Sequence, residues 1–142
     1  MDEEGATAGP LELLRRANEA VNKRDLDALM AVYAQDAVWD GSPMGIGSFE
    51  GLAAVRGFLA DWLASYEEWE LHAVEVQDHG NGVAFVVYIQ KGRPVGSSGE
   101  VQLRYAAIIE CEDGKIERRT NYTDIDQARA AAERLAQERG RS

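Results

Sequence analysis

The stretch from Gly99 to Asp124 constrains the fold more than any other part of the chain, because its pattern predicts two strands joined by a tight turn. Alternate residues of the first strand share a face: Val101, Leu103, Tyr105, Ala107 and Ile109 on one side, and Gln102, Arg104, Ala106, Ile108 and Glu110 on the other. Asp113-Gly114 then predicts a type I′ turn, which needs positive φ at both central positions. The return strand, Lys115 to Tyr122, carries polar residues on both faces, which favours a position beside a cavity or an interface.

Charge and composition exclude several classes of function. The 142 residues carry a formal net charge of −10, so no basic stripe is available to neutralise phosphates, and nucleic-acid binding is not expected. No apolar run approaches the roughly 20 residues of a membrane span. The acidic N-terminal segment is unlike a signal peptide, and Cys111, the single cysteine, allows no intrachain disulfide. We therefore expect a cytoplasmic protein without membrane association, with one domain over residues 10–139 after a disordered lead of residues 1–9.

The first half of the chain has helical periodicity. Apolar residues three to four positions apart predict a helix from Pro10 to about Asn22. Asp25 can cap a second helix whose apolar stripe runs to Tyr33. The third helix has the widest stripe, formed by Leu52, Val55, Phe58, Leu59, Trp62, Leu63 and Tyr66. A last helix, from about Asp126 to Arg139, has only a thin apolar side.

Strand patterns dominate the second half. A short strand is predicted at 37–40 and a longer one at 69–78, while 83–90 is nearly all apolar, as expected for a central strand covered on both faces. Residues 91–99 are predicted to be a flexible connection. Helices first and strands later favour an α+β domain with helices against one face of an antiparallel sheet.

Several short segments in this order resemble one known superfamily. They are residues 22–27 between the first helices, 33–40, 49–51 at the start of the third helix, and 113–116 followed by 121–124. The chain resembles the SnoaL-like and ketosteroid-isomerase-like branch of the nuclear transport factor 2-like superfamily. This resemblance implies a strongly curved, mixed or antiparallel sheet, shaped as a cone around three N-terminal helices, with a C-terminal tail helix and a pocket at the open end. Members include isomerases, polyketide cyclases, epoxide hydrolases, dehydratases and non-catalytic binding domains.

The resemblance implies a catalytic role for Asp40, since the isomerase-like branch has its general base at this place. Apolar surroundings raise the pKa of a carboxyl group and make it a usable proton shuttle. The alternative is that Asp40 accepts a local hydrogen bond and caps the turn of the glycine-rich loop, residues 41–47.

The remaining catalytic residues of the family are incomplete here. The oxyanion-stabilising tyrosine of the isomerases falls near Ala17, and Tyr105 is either an altered oxyanion donor or a core aromatic. Asn121 stands where epoxide hydrolases have a second aspartate, and an amide cannot act as an acid or base. It either orients a carbonyl or hydroxyl ligand or bonds to neighbouring backbone. Arg119 shares strand parity with Asn121 and either binds an anionic ligand or covers its neighbours.

The predicted pocket wall consists of core residues, namely Tyr33, Trp39, Met44, Phe58 and Trp62. His72 and His79 have no convergent ligands, so neither a metal nor a cofactor is expected.

Two functions remain open. One is a cofactor-independent, isomerase- or cyclase-like enzyme that uses Asp40 on a small apolar molecule bearing a carbonyl or hydroxyl group. The other is a non-catalytic small-molecule-binding or interaction domain. We also expect a homodimer through the half-apolar sheet face of Gln102, Arg104, Ala106 and Ile108.

Overall fold

A computed structural model describes residues 8–141, which form a six-stranded mixed sheet with helices on both faces. The helices are α1 (Pro10–Asn22), α2 (Leu26–Met30), α3 (Leu52–Ala64) and α4 (Ile125–Gly140). The strands are β1 (Tyr33–Asp40), β2 (Ser48–Glu50), β3 (Tyr66–Gly80), β4 (Val83–Pro94), β5 (Val101–Glu112) and β6 (Lys115–Tyr122), with a 3₁₀ turn at Ser42–Met44. This confirms the predicted α+β cone with three early helices and a tail helix. Most of the predicted N-terminal lead, residues 1–7 of 1–9, lies outside the described residues.

The strand order places the first and the last strand in the sequence, β1 and β6, side by side. The sheet runs β2-β1-β6-β5-β4-β3; β1 and β6 are parallel, and every other neighbouring pair is antiparallel. The predicted β5–β6 hairpin is present, with φ of 53° at Asp113 and 76° at Gly114, as a type I′ turn requires. Arg118 pairs with Glu110 but Ile116 pairs with Cys111, so Glu117 is an extra bulged residue. The bulge allows Ile116 to be buried while Arg119 and Asn121 remain on the inner face.

Two hydrophobic cores lie on opposite faces of the sheet. The inner core lies between the sheet and α1, α2 and α3, and the outer core lies beneath α4. Strand β4 separates them: Ala84, Val86 and Tyr88 belong to the inner core, whereas Val83, Phe85 and Val87 belong to the outer core. All six are at most 1% exposed, which confirms that this apolar run is a central strand covered on both faces.

Several predicted element boundaries were wrong because strand pairing extends beyond the local pattern. Tyr33 begins β1 instead of continuing α2, and it pairs with Ile116 of β6. Tyr66 lies in β3 and pairs with Pro94, so β4 continues into the segment expected to be a flexible connection. A three-residue strand, β2, precedes α3. The predicted cap of α2 is confirmed, since Asp25 accepts from the Ala28 amide, and Asp124 caps α4 in the same way by accepting from the Gln127 amide.

The face expected to form a dimer is partly covered by the chain itself. Ala106 and Ile108 are 0% and 2% exposed because α4 packs against them. The helix approaches the sheet through small side chains, those of Ala128, Ala132 and Ala136. The apolar character of this face is therefore explained by packing within one chain, and the homodimer remains a prediction without that support. Among the described residues, no helix is both long and apolar enough to cross a membrane.

Candidate ligand pocket

A pocket lies between the inner face of the sheet and helices α1 to α3. The empty space between its walls is about 610 Å³, a figure that includes the open mouth. Its wall is mostly apolar and aromatic, with a few polar groups. The lining residues are Ala17, Asn18, Val21, Leu29, Tyr33, Trp39, Met44, Ile46, Leu59, Trp62, Leu63, Trp69, Leu71, Tyr88, Gln90, Tyr105, Arg119 and Asn121.

An aromatic cluster supports one side of the pocket. Phe58 packs between three rings, with centroid distances of 4.6 Å to Trp39, 4.3 Å to Phe49 and 5.5 Å to Trp62. Trp39 and Trp62 line the pocket, whereas Phe58 supports them from behind and is not part of the wall. Tilted and stacked ring contacts of this kind add stability beyond the area that they bury, so this side of the wall is held in place independently of any ligand.

Arg119 is the charged residue of the pocket wall, and it is buried. The residue is 7% exposed, contrary to the reading of an exposed arginine that covers its neighbours. Its Nε donates to Oδ1 of Asn121 at 3.1 Å, and its guanidinium carbon lies 5.1 Å from the centre of the Tyr88 ring. Within residues 8–141, no carboxylate forms an ion pair with it. A buried guanidinium normally requires a compensating anion, and here all its partners are neutral.

Three tyrosines surround this guanidinium. Tyr33, Tyr88 and Tyr105 are at most 6% exposed, and the rings of Tyr88 and Tyr105 lie 5.6 Å apart. Burial raises the pKa of both Tyr33 and Tyr105, so their hydroxyls remain protonated at neutral pH. Burial acts to lower the pKa of Arg119, but the tyrosine hydroxyls outweigh it and the pKa is raised. The inner face therefore presents a permanent positive charge with neutral hydroxyl groups beside it.

Asp40 lies outside the pocket, on the opposite face of the sheet. Its Oδ1 accepts from the Ser42 amide at 3.0 Å and from the Ser42 hydroxyl at 2.6 Å, and its Oδ2 accepts from Arg118 at 2.6 Å. Burial alone would raise the pKa of Asp40, but these hydrogen bonds and the Arg118 charge hold it below its ordinary value. This direction is opposite to the one that a proton shuttle needs, and the contacts of Asp40 are those of the alternative, a turn-capping residue.

The structure brings together seven of the nine predicted site residues. They are Tyr33, Trp39, Met44, Trp62, Tyr105, Arg119 and Asn121. Asp40 and Phe58 are separate from them, for the reasons given above. Sequence reasoning missed Asn18, Trp69, Tyr88 and Gln90. The signal for two of these was present, because Gln90 is the polar end of an apolar strand and shares parity with Tyr88. Within the described part of the chain, no cluster of His, Cys, Asp and Glu side chains is arranged to hold a metal ion.

Comparison with known proteins identifies the family. The sequence model of the SnoaL-like domain matches residues 14–119, which is well over half of the chain. The chain belongs to the SnoaL-like domain family. No curated protein matches it in sequence.

Solved structures of the same fold support this assignment of the SnoaL-like chain. A candidate polyketide cyclase from Xanthomonas campestris pv. campestris is 27% identical, with a TM-score of 0.69 over 82% of this chain and 91% of its own. A protein with a ketosteroid isomerase-like fold from Catenulispora acidiphila, in complex with trimethylamine, is 16% identical, with a TM-score of 0.72 over 88% and 94%. TerC, co-crystallised with polyporic acid, is 19% identical, with a TM-score of 0.71 over 87% and 97%.

Proposed function

We propose that this SnoaL-like protein is a binding domain for a small, mostly apolar molecule that carries an anionic oxygen, such as a carboxylate or a phenolate. The observation that carries the proposal is Arg119: a buried guanidinium in an apolar pocket, whose partners among residues 8–141 are all neutral. An anionic ligand supplies the missing counter-charge, and a charge-assisted hydrogen bond in a low-dielectric pocket is among the strongest contacts that a ligand can make.

The groups beside Arg119 are suited to orienting such an oxygen. Tyr33 and Tyr105 keep their hydroxyl protons at neutral pH, so each can donate to an acceptor. Asn121 accepts from the Nε of Arg119, which holds the guanidinium plane in one orientation. The remaining N–H groups of Arg119 form a planar fork, a geometry that suits a carboxylate with two oxygens.

The fold by itself does not decide the charge of the ligand. Structures with this fold contain trimethylamine in one case and polyporic acid in another. In this chain the positive charge of Arg119 disfavours a cation and favours an acid. The preference for an acidic ligand over a cationic one therefore rests on Arg119 and on its burial.

Binding has more support than proton transfer. None of the described residues that line the pocket is Asp, Glu or His, so this wall offers no general base that is poised near neutral pH. Asp40 pairs with Arg118 on the other face of the sheet, and its lowered pKa makes it a weaker base than an ordinary carboxylate. Isomerase- or cyclase-like chemistry at Asp40 is the less supported alternative.

Matched probes that differ only in charge test the proposal. Calorimetry with benzoate and with neutral benzamide should show benzoate binding at least about tenfold more tightly, since a hydrogen bond to a charged group contributes roughly 1.5–3 kcal/mol. Arg119→Gln should remove this preference. Arg118→Gln is the matched control, because it removes the same charge from the next residue, which faces away from the pocket. Equal binding of the two probes by the wild type, or an unchanged preference in Arg119→Gln, would overturn the proposal.

A further inference from the structure

Three polar atoms in the pocket wall have no hydrogen-bond partner within the described residues. They are Nε1 of Trp69, Oε1 of Gln90 and Oδ1 of Asn18. Gln90 is 3% exposed, and its only contact of this kind is a long one, 3.5 Å from Nε2 to the Tyr66 hydroxyl. Buried polar groups are nearly always paired, so three unpartnered atoms around one cavity require an explanation.

These atoms are positioned by three different elements that are joined firmly. Asn22 of α1 forms two hydrogen bonds with the backbone of Leu71 in β3, at 2.9 and 2.7 Å, which fixes the helix against the strand. Asn18 lies one helical turn before Asn22, and Trp69 lies two residues before Leu71. Gln90 pairs directly with Leu71 from β4. Trp69 and Gln90 therefore occupy neighbouring positions of the β3–β4 pair, whereas Asn18 lines the pocket from α1.

The strand register also relates the position of Gln90 to that of Arg119. The guanidinium lies over the ring of Tyr88, and Gln90 follows Tyr88 by two residues on the same face of β4. Two residues along a strand correspond to roughly 7 Å. The pocket thus has two polar regions on the face of the sheet, one around Arg119 and one around Gln90.

The polar groups of the region around Gln90 match a hydroxyl group of a ligand. The indole N–H of Trp69 is a donor, and the amide oxygens of Gln90 and Asn18 are acceptors. A hydroxyl accepts from the indole and donates its proton to one of the amides. A second carboxylate would meet acceptor oxygens without a charge to compensate it, so an acidic group is disfavoured beside Gln90.

We propose that Trp69 and Gln90, with Asn18 on the α1 side, form a second subsite that binds a hydroxyl group of the ligand whose acidic group is held by Arg119. The inference rests on the proposed function and specifies its ligand class, a hydroxy acid. A small rotation of the two amide side chains presents their oxygens to the ligand, a change of the kind that commonly accompanies binding.

Calorimetry with benzoate, 3-hydroxybenzoate and 4-hydroxybenzoate tests the subsite. The wild type should bind the better of the two hydroxy isomers about tenfold more tightly than benzoate. In Trp69→Phe, which removes the donor but keeps a ring beside Tyr66, the affinity ratio should fall close to one. Gln90→Leu provides a second variant with the same expected loss of preference. Glu70→Gln, at an exposed neighbouring position of β3, should leave the ratio unchanged.

A spectroscopic measurement separates contact from a general change in the fold. The indole N–H resonance of Trp69, assigned from its absence in Trp69→Phe, should shift with the tighter-binding hydroxy isomer more than with benzoate. If benzoate binds but the hydroxyl gives no gain, the subsite is wrong while the role of Arg119 stands. If neither acid binds, the proposed function fails, and the subsite fails with it.

Discussion

At the scale of single residues, neighbouring positions of one strand have opposite roles. Arg118 and Arg119 are adjacent in β6, yet Arg118 pairs with Asp40 on the outer face and Arg119 lies buried in the pocket. The alternation of a strand is the cause, because successive side chains point to opposite faces. Asp40 follows the same rule beside Trp39, so the carboxylate belongs to the outer face and the tryptophan to the pocket.

Asp40→Asn should destabilise the protein by about 1 kcal/mol at pH 7, because the amide keeps an acceptor for Ser42 but loses the ion pair with partly exposed Arg118. The pKa of Asp40 is lower in the folded protein than in the unfolded chain. The ionised carboxylate therefore stabilises the fold above the unfolded pKa near 3.9, and this stabilisation is lost as pH falls through the folded pKa. Denaturant unfolding at pH 7 and pH 3 should show the difference shrinking at the lower pH. Asp36→Asn, at an exposed site of β1, is the control. A difference of equal size at both pH values would contradict this account.

At the scale of elements, tight turns decide how β3, β4 and β5 meet. Gly80 and Gly82 flank the β3–β4 turn, and both have positive φ, 81° and 80°. A Cβ on Gly82 would approach the Cys111 carbonyl oxygen to 2.5 Å, whereas a Cβ on Gly80 would meet nothing within 4 Å. The two glycines share a backbone conformation but differ in what surrounds them.

Gly82→Ala should therefore cost more stability than Gly80→Ala. Both substitutions lower the free energy of unfolding by about 1–2 kcal/mol, because alanine disfavours the left-handed conformation. Only Gly82→Ala adds a backbone clash, which costs about 1–3 kcal/mol more. The free energy of unfolding from denaturant titration measures the difference. Equal losses in the two variants would show that the close approach to Cys111 does not restrict this turn.

At the scale of the whole molecule, the sheet separates a functional face from a structural one. The inner face contains the pocket and its single charged group, and the outer face is covered by α4 through small residues. A ligand in the pocket binds only the folded chain, so its binding free energy is added to the stability of the whole fold.

Benzoate at 100 times its dissociation constant should raise the free energy of unfolding by about 2.7 kcal/mol. The gain should be lost in Arg119→Gln, which lacks the pocket charge, and kept in Asp40→Asn, whose altered side chain lies on the other face. Thermal and denaturant unfolding with and without benzoate measure it. Loss of the gain in Asp40→Asn would argue that the carboxylate takes part in the pocket after all.

The sequence by itself determined the fold class, the β5–β6 turn and the cap of α2, because these depend on local periodicity and on residues with restricted conformations. The family resemblance added seven of the eighteen residues that line the pocket. Only the tertiary structure decided the extent of β1 and β4, since those ends exist through pairing with distant strands. It also decided which face each polar side chain occupies, since the bulge at Glu117 changes the parity of β6 and no local pattern shows it. The burial of Arg119, the outward position of Asp40 and the grouping of Asn18, Trp69 and Gln90 all follow from contacts between elements far apart in the chain.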